Sequence, residues 1–325
     1  MQKSNRPYEI ASSTSSRSLI LDDSEKLKDQ WRKYLELLER DGTISSATKR
    51  TYEIALERFE MFLRSPRDAD SEIIHQWIAR LKHEGRSVNT IGTWLSGVRS
   101  FYVWGVRNGK FPSDPTQGIA GARRRGERSH IREPLSDDEI VSILDYIDTT
   151  KKEGKRDIAL IAFMAFQGAR TVEAHRARFE DLKKEKGFYV LNVQGKGRPE
   201  ADAKIVIVNP EMIRYLDDYI RVRGTDHGPL FVSFSDRSYG KQLSKSAIRH
   251  IVKGYMQDLK ITGRKSTHSL RHSAATNALL HGAPITKIQS MLRHMDISTT
   301  MIYAHDLDRV TNPGEQYVDY RDKSK

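Results

Sequence analysis

The chain has 325 residues, enough for about two ordinary domains, and its 37% hydrophobic residues can form a core in each. It contains no cysteine, which excludes disulfides, thiol nucleophiles and cysteine-based zinc sites. Lys and Arg outnumber Asp and Glu by 55 to 43, and the formal charge of +12 favours a polyanionic partner without saying which one. No signal-peptide run or membrane-length apolar stretch occurs, so we expect a cytoplasmic protein without a membrane partner.

The first part of the sequence predicts a flexible leader followed by four helices. Residues 1–22 are polar and rich in serine, which is typical of a leader without a core of its own. Apolar residues then recur at helical spacing in four segments, at residues 31–38, 52–62, 73–81 and 91–102. Gly85 and Gly109 follow the last two segments as stop signals. Residues 23–112 therefore predict a four-helix domain.

Residues 113–132 predict a basic linker, because helical periodicity is lost there and the density of charge rises. The second domain then covers residues 133–325, and its first helix opens with the capping-box pair Ser136 and Glu139. Further elements are predicted as helices at 156–166 and 171–182, strands at 189–193 and 204–208, and helices from 210 to about 309. We expect a mainly α protein, with a small antiparallel β-sheet in its C-terminal domain.

Two motifs of the second domain carry arginines suited to binding phosphate. In the segment THSLRHSAAT, a helix capped at Thr267 would place His268 and Arg271 on one face of its first turn. A helix N-terminus attracts phosphate, and a guanidinium fork holds two of its oxygens. In QGARTVE, Arg170 begins a helix and can join Arg271, with Glu173 holding it in place. Taken singly, the alternatives are a basic helix with an exposed histidine and a routine salt bridge.

Two further motifs lie at the strand pair and near the end of the chain. Lys196 stands between two glycines at the tip of the strand pair, where a hairpin can reach a DNA groove. Residues 292–305 read LRHMDISTTMIYAH and contain His294 and Tyr303. Leu-x-His followed by Thr-x-x-Tyr-x-His, downstream of His-x-x-Arg-His and Gly-x-Arg-x-x-Glu, resembles the tyrosine recombinase family, the Xer and phage-integrase group. In the first domain, SATKRTY and SVNTI with LSGVRSFY are similar to that family's helical, SAM-like core-binding domain.

The resemblance implies an enzyme that cleaves and rejoins DNA at specific core sites through a 3′-phosphotyrosyl intermediate, with no metal or other cofactor. The implied catalytic residues are Arg170 and Arg271 as phosphate clamp, Lys196 as general acid with Lys204 as its rival, His268 in proton transfer, His294 supporting the transition state and Tyr303 as nucleophile. Glu173 and His272 would support them. The candidates for DNA contact are Lys49, Arg50, Thr90, Arg99, Arg123, Arg124 and Arg125.

The resemblance also implies a homotetramer on double-stranded DNA, nucleoid-associated when bound, whose C-terminal tails are exchanged between subunits. One departure from the family pattern is Arg293, which replaces the usual glycine before His294; we interpret it as a surface charge rather than a phosphate contact. Two alternatives remain open. One is a DNA-relaxing enzyme of the type IB topoisomerase kind, and the other is a non-catalytic DNA-binding regulator on the same fold. The sequence is compatible with integration, excision, resolution of dimers and transposition.

Overall fold

The computed structural model describes residues 14–63, 65–120, 133–194 and 201–305. The chain divides into two compact units, Met1–Ser129 and His130–Lys325, and each has its own hydrophobic core. Within the described ranges, no helix is both long and apolar enough to cross a membrane.

The first unit contains the four predicted helices. They are α1 (Thr14–Arg40), α2 (Ser46–Glu60), α3 (Ser71–His83) and α4 (Val88–Arg107). The last three begin at side-chain caps, because Ser45, Asp70 and Ser87 each accept a hydrogen bond from a backbone N–H of the first turn. Helix α1 begins inside the segment predicted as a leader, where Arg17, Leu19 and Leu21 are good helix formers despite the serines around them.

Aromatic residues fill the core of the first unit. Trp77 packs edge-on against Phe59 with ring centroids 5.1 Å apart, and Phe101 lies 5.5 Å from Trp31 in the same manner. Beyond α4, Ile119 is also buried in this core. The packing of the first unit therefore continues into the segment predicted as the linker.

The second unit contains eight further helices among its described residues. They are α5 (Asp137–Tyr146), α6 (Lys152–Phe166), α7 (Thr171–Arg176), α8 (Pro210–Arg223), α9 (Lys245–Asp258), α10 (Thr267–Leu280), α11 (Ile285–Leu292) and α12 (Ser298–His305). The predicted capping box of Ser136 and Glu139 is present at the start of α5. Helix α6 is buried on nearly all sides from Arg156 to Ala165 and forms the centre of the unit.

A three-stranded antiparallel sheet lies beside these helices, in the order β1 (Leu182–Glu185), β2 (Phe188–Gln194) and β3 (Ala201–Ile207). Pairing of Leu191 with Ile205 sets the register of β2 and β3. The prediction of a helix over 171–182 was wrong beyond Arg176. The carbonyl of Ala177 accepts a hydrogen bond from the N–H of Leu230 at 2.7 Å, so a distant segment draws the chain out of the helix.

Helix α10 packs against α6, α11 and α12. Its residues from Ser269 to Ala275 are buried, so both of its faces lie inside the protein. Ser266 is its N-cap, one residue before the predicted cap at Thr267, and the Ser266 side chain accepts from the N–H of His268. The hydroxyl of Thr171, at the start of α7, donates to that of Thr267 at 3.1 Å. This contact brings the first turns of α7 and α10 together.

Candidate active site

Arg170 stands at the N-cap of α7 and is held by Glu173. Its Nη1 donates to Oε1 of Glu173 at 2.9 Å, and its backbone N–H donates to Oε2 at 2.7 Å. The predicted contact between Glu173 and Arg170 is therefore present. The Arg170 side chain remains 25% exposed, so it is accessible to an incoming anion, whereas the Glu173 side chain is only 1% exposed.

Arg271 converges on the same place from the first turn of α10. Its Nη1 donates to the carbonyl of Gly168 and its Nη2 to the carbonyl of Leu292. The Leu292 carbonyl also accepts from Nη1 of Arg170 at 3.4 Å. Burial, together with the charge of Arg170, lowers the pKa of Arg271 to about 9. An anion bound between the two guanidinium groups would relieve this repulsion.

Gly168 permits this close approach between the turn before α7 and the end of α11. Its φ angle of +56° lies in the left-handed region, and a Cβ atom at this position would lie 2.7 Å from Cδ2 of Leu292. A side chain would therefore separate the two main-chain carbonyls that Arg271 binds. The glycine of the QGAR motif has a structural function next to its arginine.

Arg293 is not the surface charge that the sequence suggested. Its side chain is only 8% exposed and lies against Glu173. Nε donates to Oε1 of Glu173 at 3.2 Å and Nη2 donates to Oε2 at 2.7 Å. Burial acts to raise the pKa of Glu173, but the guanidinium groups of Arg293 and Arg170 hold that pKa below its usual value. The prediction was wrong because the partner of Arg293 lies 120 positions earlier in the chain.

Replacing Glu173 with glutamine is expected to lower the free energy of unfolding of the second unit by about 3 kcal/mol, because it leaves two arginines without their buried carboxylate. Urea unfolding followed by circular dichroism measures this change. Glu180→Gln is the matched control, since Glu180 pairs with Arg178 at an exposed site and its loss should change little. Equal stability of the Glu173 variant and the wild type would contradict this account.

His294 follows Arg293 and is fixed by its neighbours. Its Nδ1 lies 2.9 Å from the hydroxyl of Thr300, and its backbone N–H donates to the carbonyl of Gln289 at 3.1 Å. Burial, with the charges of Arg271, Arg170 and Arg293, lowers the pKa of His294 to about 4. The imidazole is therefore neutral at pH 7.

The second unit is expected to lose stability as pH falls from about 6.5 to about 4. Folding lowers the pKa of His294 from 6.5 to about 4. Between these two values His294 is protonated in the unfolded chain and neutral in the folded chain, so protons favour unfolding. Comparing urea midpoints at about pH 7.5 and about pH 5 for wild type and His294→Gln isolates this contribution. The variant should lose less stability than the wild type; an equal loss in both proteins would contradict the prediction.

Tyr303 lies in α12 and is 6% exposed. It packs in a small apolar cluster with Ala275, Ile288 and Leu292. Its ring centroid is 4.8 Å from that of His272, at an interplanar angle of 63°, and 6.4 Å from that of His294, at 7°. It also lies near enough to Arg271 for an ionised phenol to raise the pKa of that guanidinium. The structure thus brings Tyr303 together with the arginines and histidines of the other motifs.

The remaining predicted site residues are distributed as follows. His268 is exposed in the first turn of α10, three residues before the buried Arg271. Lys204 is exposed on β3, opposite Asn192 of β2. Lys196 lies outside the described residues, as do Arg123, Arg124 and Arg125. Among the described residues, no group of three or more His, Asp or Glu side chains could hold a metal ion.

Of the DNA-contact candidates in the first unit, two are bound within the protein. Lys49 pairs with Glu39 at 3.1 Å. Arg99 donates through Nη2 to the carbonyl of Ile119 at 2.6 Å. Arg50 is exposed near the start of α2, and Thr90 lies partly exposed in the first turn of α4, where it bonds the Ser87 hydroxyl.

Two functional features could not be read from the motifs. The carbonyl groups of Gly168 and Leu292 orient Arg271, and a main-chain acceptor leaves no signature in residue type. Arg293 could be noticed only as a departure from the expected glycine.

Family models match both parts of the chain. Residues 133–309 match the phage integrase family, and residues 32–109 match the phage integrase N-terminal SAM-like domain. The tyrosine recombinase XerD of Staphylococcus epidermidis is 30% identical over 283 residues, which cover 84% of this chain and 92% of the relative. XerD of Staphylococcus haemolyticus is 28% identical over the same length. The chain belongs to the phage integrase family.

Solved structures share the fold. The XerH site-specific recombinase bound to palindromic difH substrate, in a post-cleavage complex, aligns with a TM-score of 0.66 and 20% identity, covering 79% of this chain and 76% of that one. A lambda integrase dimer bound to a COC′ core site aligns with a TM-score of 0.67 and 14% identity, covering 90% and 81%. The resemblance inferred from the motifs and the mainly α fold class are therefore confirmed.

Proposed function

We propose that this protein is a site-specific recombinase that cleaves and rejoins DNA through a phosphodiester link between the DNA 3′ phosphate and Tyr303. The observation that carries the proposal is the convergence of Arg170, Arg271, His294 and Tyr303 from four separate segments of the second unit. The similarity to XerD over 84% of the chain favours recombination over a topoisomerase or a non-catalytic regulator.

The chemistry follows from the properties of these groups. A phosphodiester is anionic and repels nucleophiles, so Arg170 and Arg271 bind its non-bridging oxygens and neutralise the charge that develops on them. The hydroxyl of Tyr303 attacks phosphorus and loses its proton, which His268 in the first turn of α10 accepts. The P–O5′ bond breaks and Lys196 donates a proton to the departing oxygen. His294 is neutral and supports the transition state, while Glu173 and His272 hold their neighbours in position.

The phosphotyrosine keeps the energy of the broken bond. A 5′-hydroxyl from a second strand can therefore attack it and reseal the DNA in reverse. No ATP or metal cofactor enters the scheme.

We propose that both domains, residues 23–112 and 133–325, bind double-stranded DNA. The basic linker 113–132 joins them. Exposed Arg50 and partly exposed Thr90 are the best supported contacts in the first domain. The contribution of Lys49 or Arg99 would require each to leave its partner within the protein. The linker arginines add positive charge that neutralises phosphates.

We further propose a homotetramer on paired core sites, in which the tail of each subunit docks on its neighbour. A groove of about 340 Å³ between α5, α6, α10 and α11 supports this idea, since its lining includes Ile140, Leu144, Phe166 and Met291. The tail supplies apolar Tyr317 and Val318 for such a groove. Deleting residues 312–325 should impair assembly and recombination; unchanged behaviour would refute tail docking.

The test of the function is to incubate the protein with DNA from its native locus. A covalent protein–DNA adduct on a denaturing gel, linked through a 3′ phosphate and followed by exchange between two copies of one site, is the expected result. Relaxation of supercoiled plasmids irrespective of sequence, with no exchange, would favour a topoisomerase. Binding without any adduct would favour a regulator.

A further inference from the structure

The backbone of Arg293 adopts a conformation that residues with a side chain rarely accept. It is the C-cap of α11, with φ 55° and ψ 44° in the left-handed region. A Cβ atom is unfavourable there, and glycine would occupy the position without steric strain. Compensation for an arginine must therefore come from its side chain.

All three nitrogens of the Arg293 guanidinium donate hydrogen bonds within the protein. Besides the two bonds to Glu173, Nη2 donates to the carbonyl of Gly168 at 3.2 Å and Nη1 donates to the carbonyl of Met291. The planar fork matches both oxygens of the carboxylate, as a lysine could not. In this arrangement the side chain acts on Glu173 and is not aimed at an incoming phosphate.

The charge of Arg293 changes the balance around Glu173. Without Arg293, Arg170 and Glu173 would form a neutral pair. The attraction of a DNA phosphate to Arg170 would then be offset by the nearby carboxylate. With it, the group of Arg170, Glu173 and Arg293 carries one net positive charge, and Arg271 adds a second. Because Glu173 is nearly inaccessible to water, these charges are only weakly screened.

We propose that Arg293 is a positioning residue for the cleavage reaction: it neutralises Glu173, so that this carboxylate can orient Arg170 without cancelling its charge toward the scissile phosphate. The inference rests on the proposed function. It adds to it a residue that the family motif does not assign, at a position where the expected glycine could supply neither charge nor hydrogen bonds.

The neighbouring His294 reports the charge of Arg293 independently of DNA. The charged groups that face it are Arg271 from α10, Arg170 and Glu173 from α7, and Arg293 itself, with Thr300 and Tyr303 on α12. Burial and these arginines lower the pKa of His294 to about 4. Removing the charge of Arg293 should therefore raise that pKa, which NMR of the histidine ring measures in the full-length free protein.

The experiment compares Arg293→Gly, Arg293→Lys and, as control, Arg178→Ala, which removes an exposed ion pair with Glu180. Adduct formation is measured at saturating DNA from the native locus, together with DNA affinity. For Arg293→Gly we expect the rate to fall about tenfold or more while affinity changes by less than about threefold. We also expect a higher pKa for His294. Arg293→Lys keeps the charge, so it should retain part of the wild-type rate and most of the lowering of the His294 pKa. The control should resemble wild type in both measurements.

A rate for Arg293→Gly within about twofold of wild type, or an unchanged His294 titration, would overturn the proposal. If Arg293→Gly does not fold, Arg293→Lys and Arg293→Gln are compared instead, because lysine keeps the charge and glutamine does not. Equal rates of adduct formation for these two variants would refute a role for the charge. If wild type forms no adduct, the proposed function fails, whereas the titration of His294 still tests the electrostatic effect of Arg293.

Discussion

Tyr303→Phe is expected to abolish covalent attachment to DNA, a loss of about 10⁴-fold or more, because it removes the oxygen that we propose attacks phosphorus. The phenyl ring retains the packing against Ala275, Ile288 and Leu292, so the variant should fold and bind DNA as wild type does. Denaturing gels of the protein incubated with radiolabelled DNA from its native locus measure the adduct. A gel-shift assay under native conditions measures binding separately.

Tyr239→Phe is the matched control for this experiment. Tyr239 belongs to the same unit, is 57% exposed and lies near Lys152 rather than near the arginines. It should form the adduct at the wild-type rate. An adduct that persists in Tyr303→Phe would show that another residue is the nucleophile.

Arg271→Lys is expected to lower the rate of adduct formation at saturating DNA by about 100-fold or more, comparable to the loss of a key donor to a developing anion. The three N–H donors of a lysine lie on one nitrogen, so it lacks the planar fork whose separated nitrogens reach the carbonyls of Gly168 and Leu292 and hold a phosphate in two places. The effect should lie mainly in the rate. Single-turnover kinetics with excess protein measure it.

Arg223 provides the control for this second substitution. It is also buried and donates to main-chain carbonyls, including those of His227 and Pro229, but it lies at the end of α8, outside the cluster of candidate catalytic residues. Arg223→Lys should lower stability while leaving the rate at saturating DNA close to wild type. If both lysine variants lose rate equally, general destabilisation rather than loss of the phosphate clamp explains the result.

Periodicity predicted the helices of the first unit well, because α2, α3 and α4 are amphipathic and begin at capping side chains. Periodicity failed where contacts with distant segments determine the secondary structure. Ala177 leaves the helix to bond Leu230, and β1 is a short, mostly exposed strand whose sequence LKKE has no alternation to detect. The start of α1 was hidden because serine-rich composition resembles a leader.

The candidate site was predictable from the sequence where its chemistry depends on the type of the side chain. Arg170, Arg271, His294 and Tyr303 were identified from motifs, and the structure brings them together. Their contributions to catalysis remain predictions. What no motif could give is the geometry that orders them, since main-chain acceptors have no residue signature and the buried pair of Arg293 with Glu173 joins segments far apart in sequence.

Leu292 belongs to two parts of the site at once. Its side chain packs beside Tyr303, while its carbonyl accepts from Arg271 and Arg170. A displacement of α11 is therefore expected to disturb the packing of Tyr303 and the orientation of both arginines in the same movement. One helix thus couples the packing of Tyr303 to the orientation of Arg271, so neither is expected to change without the other.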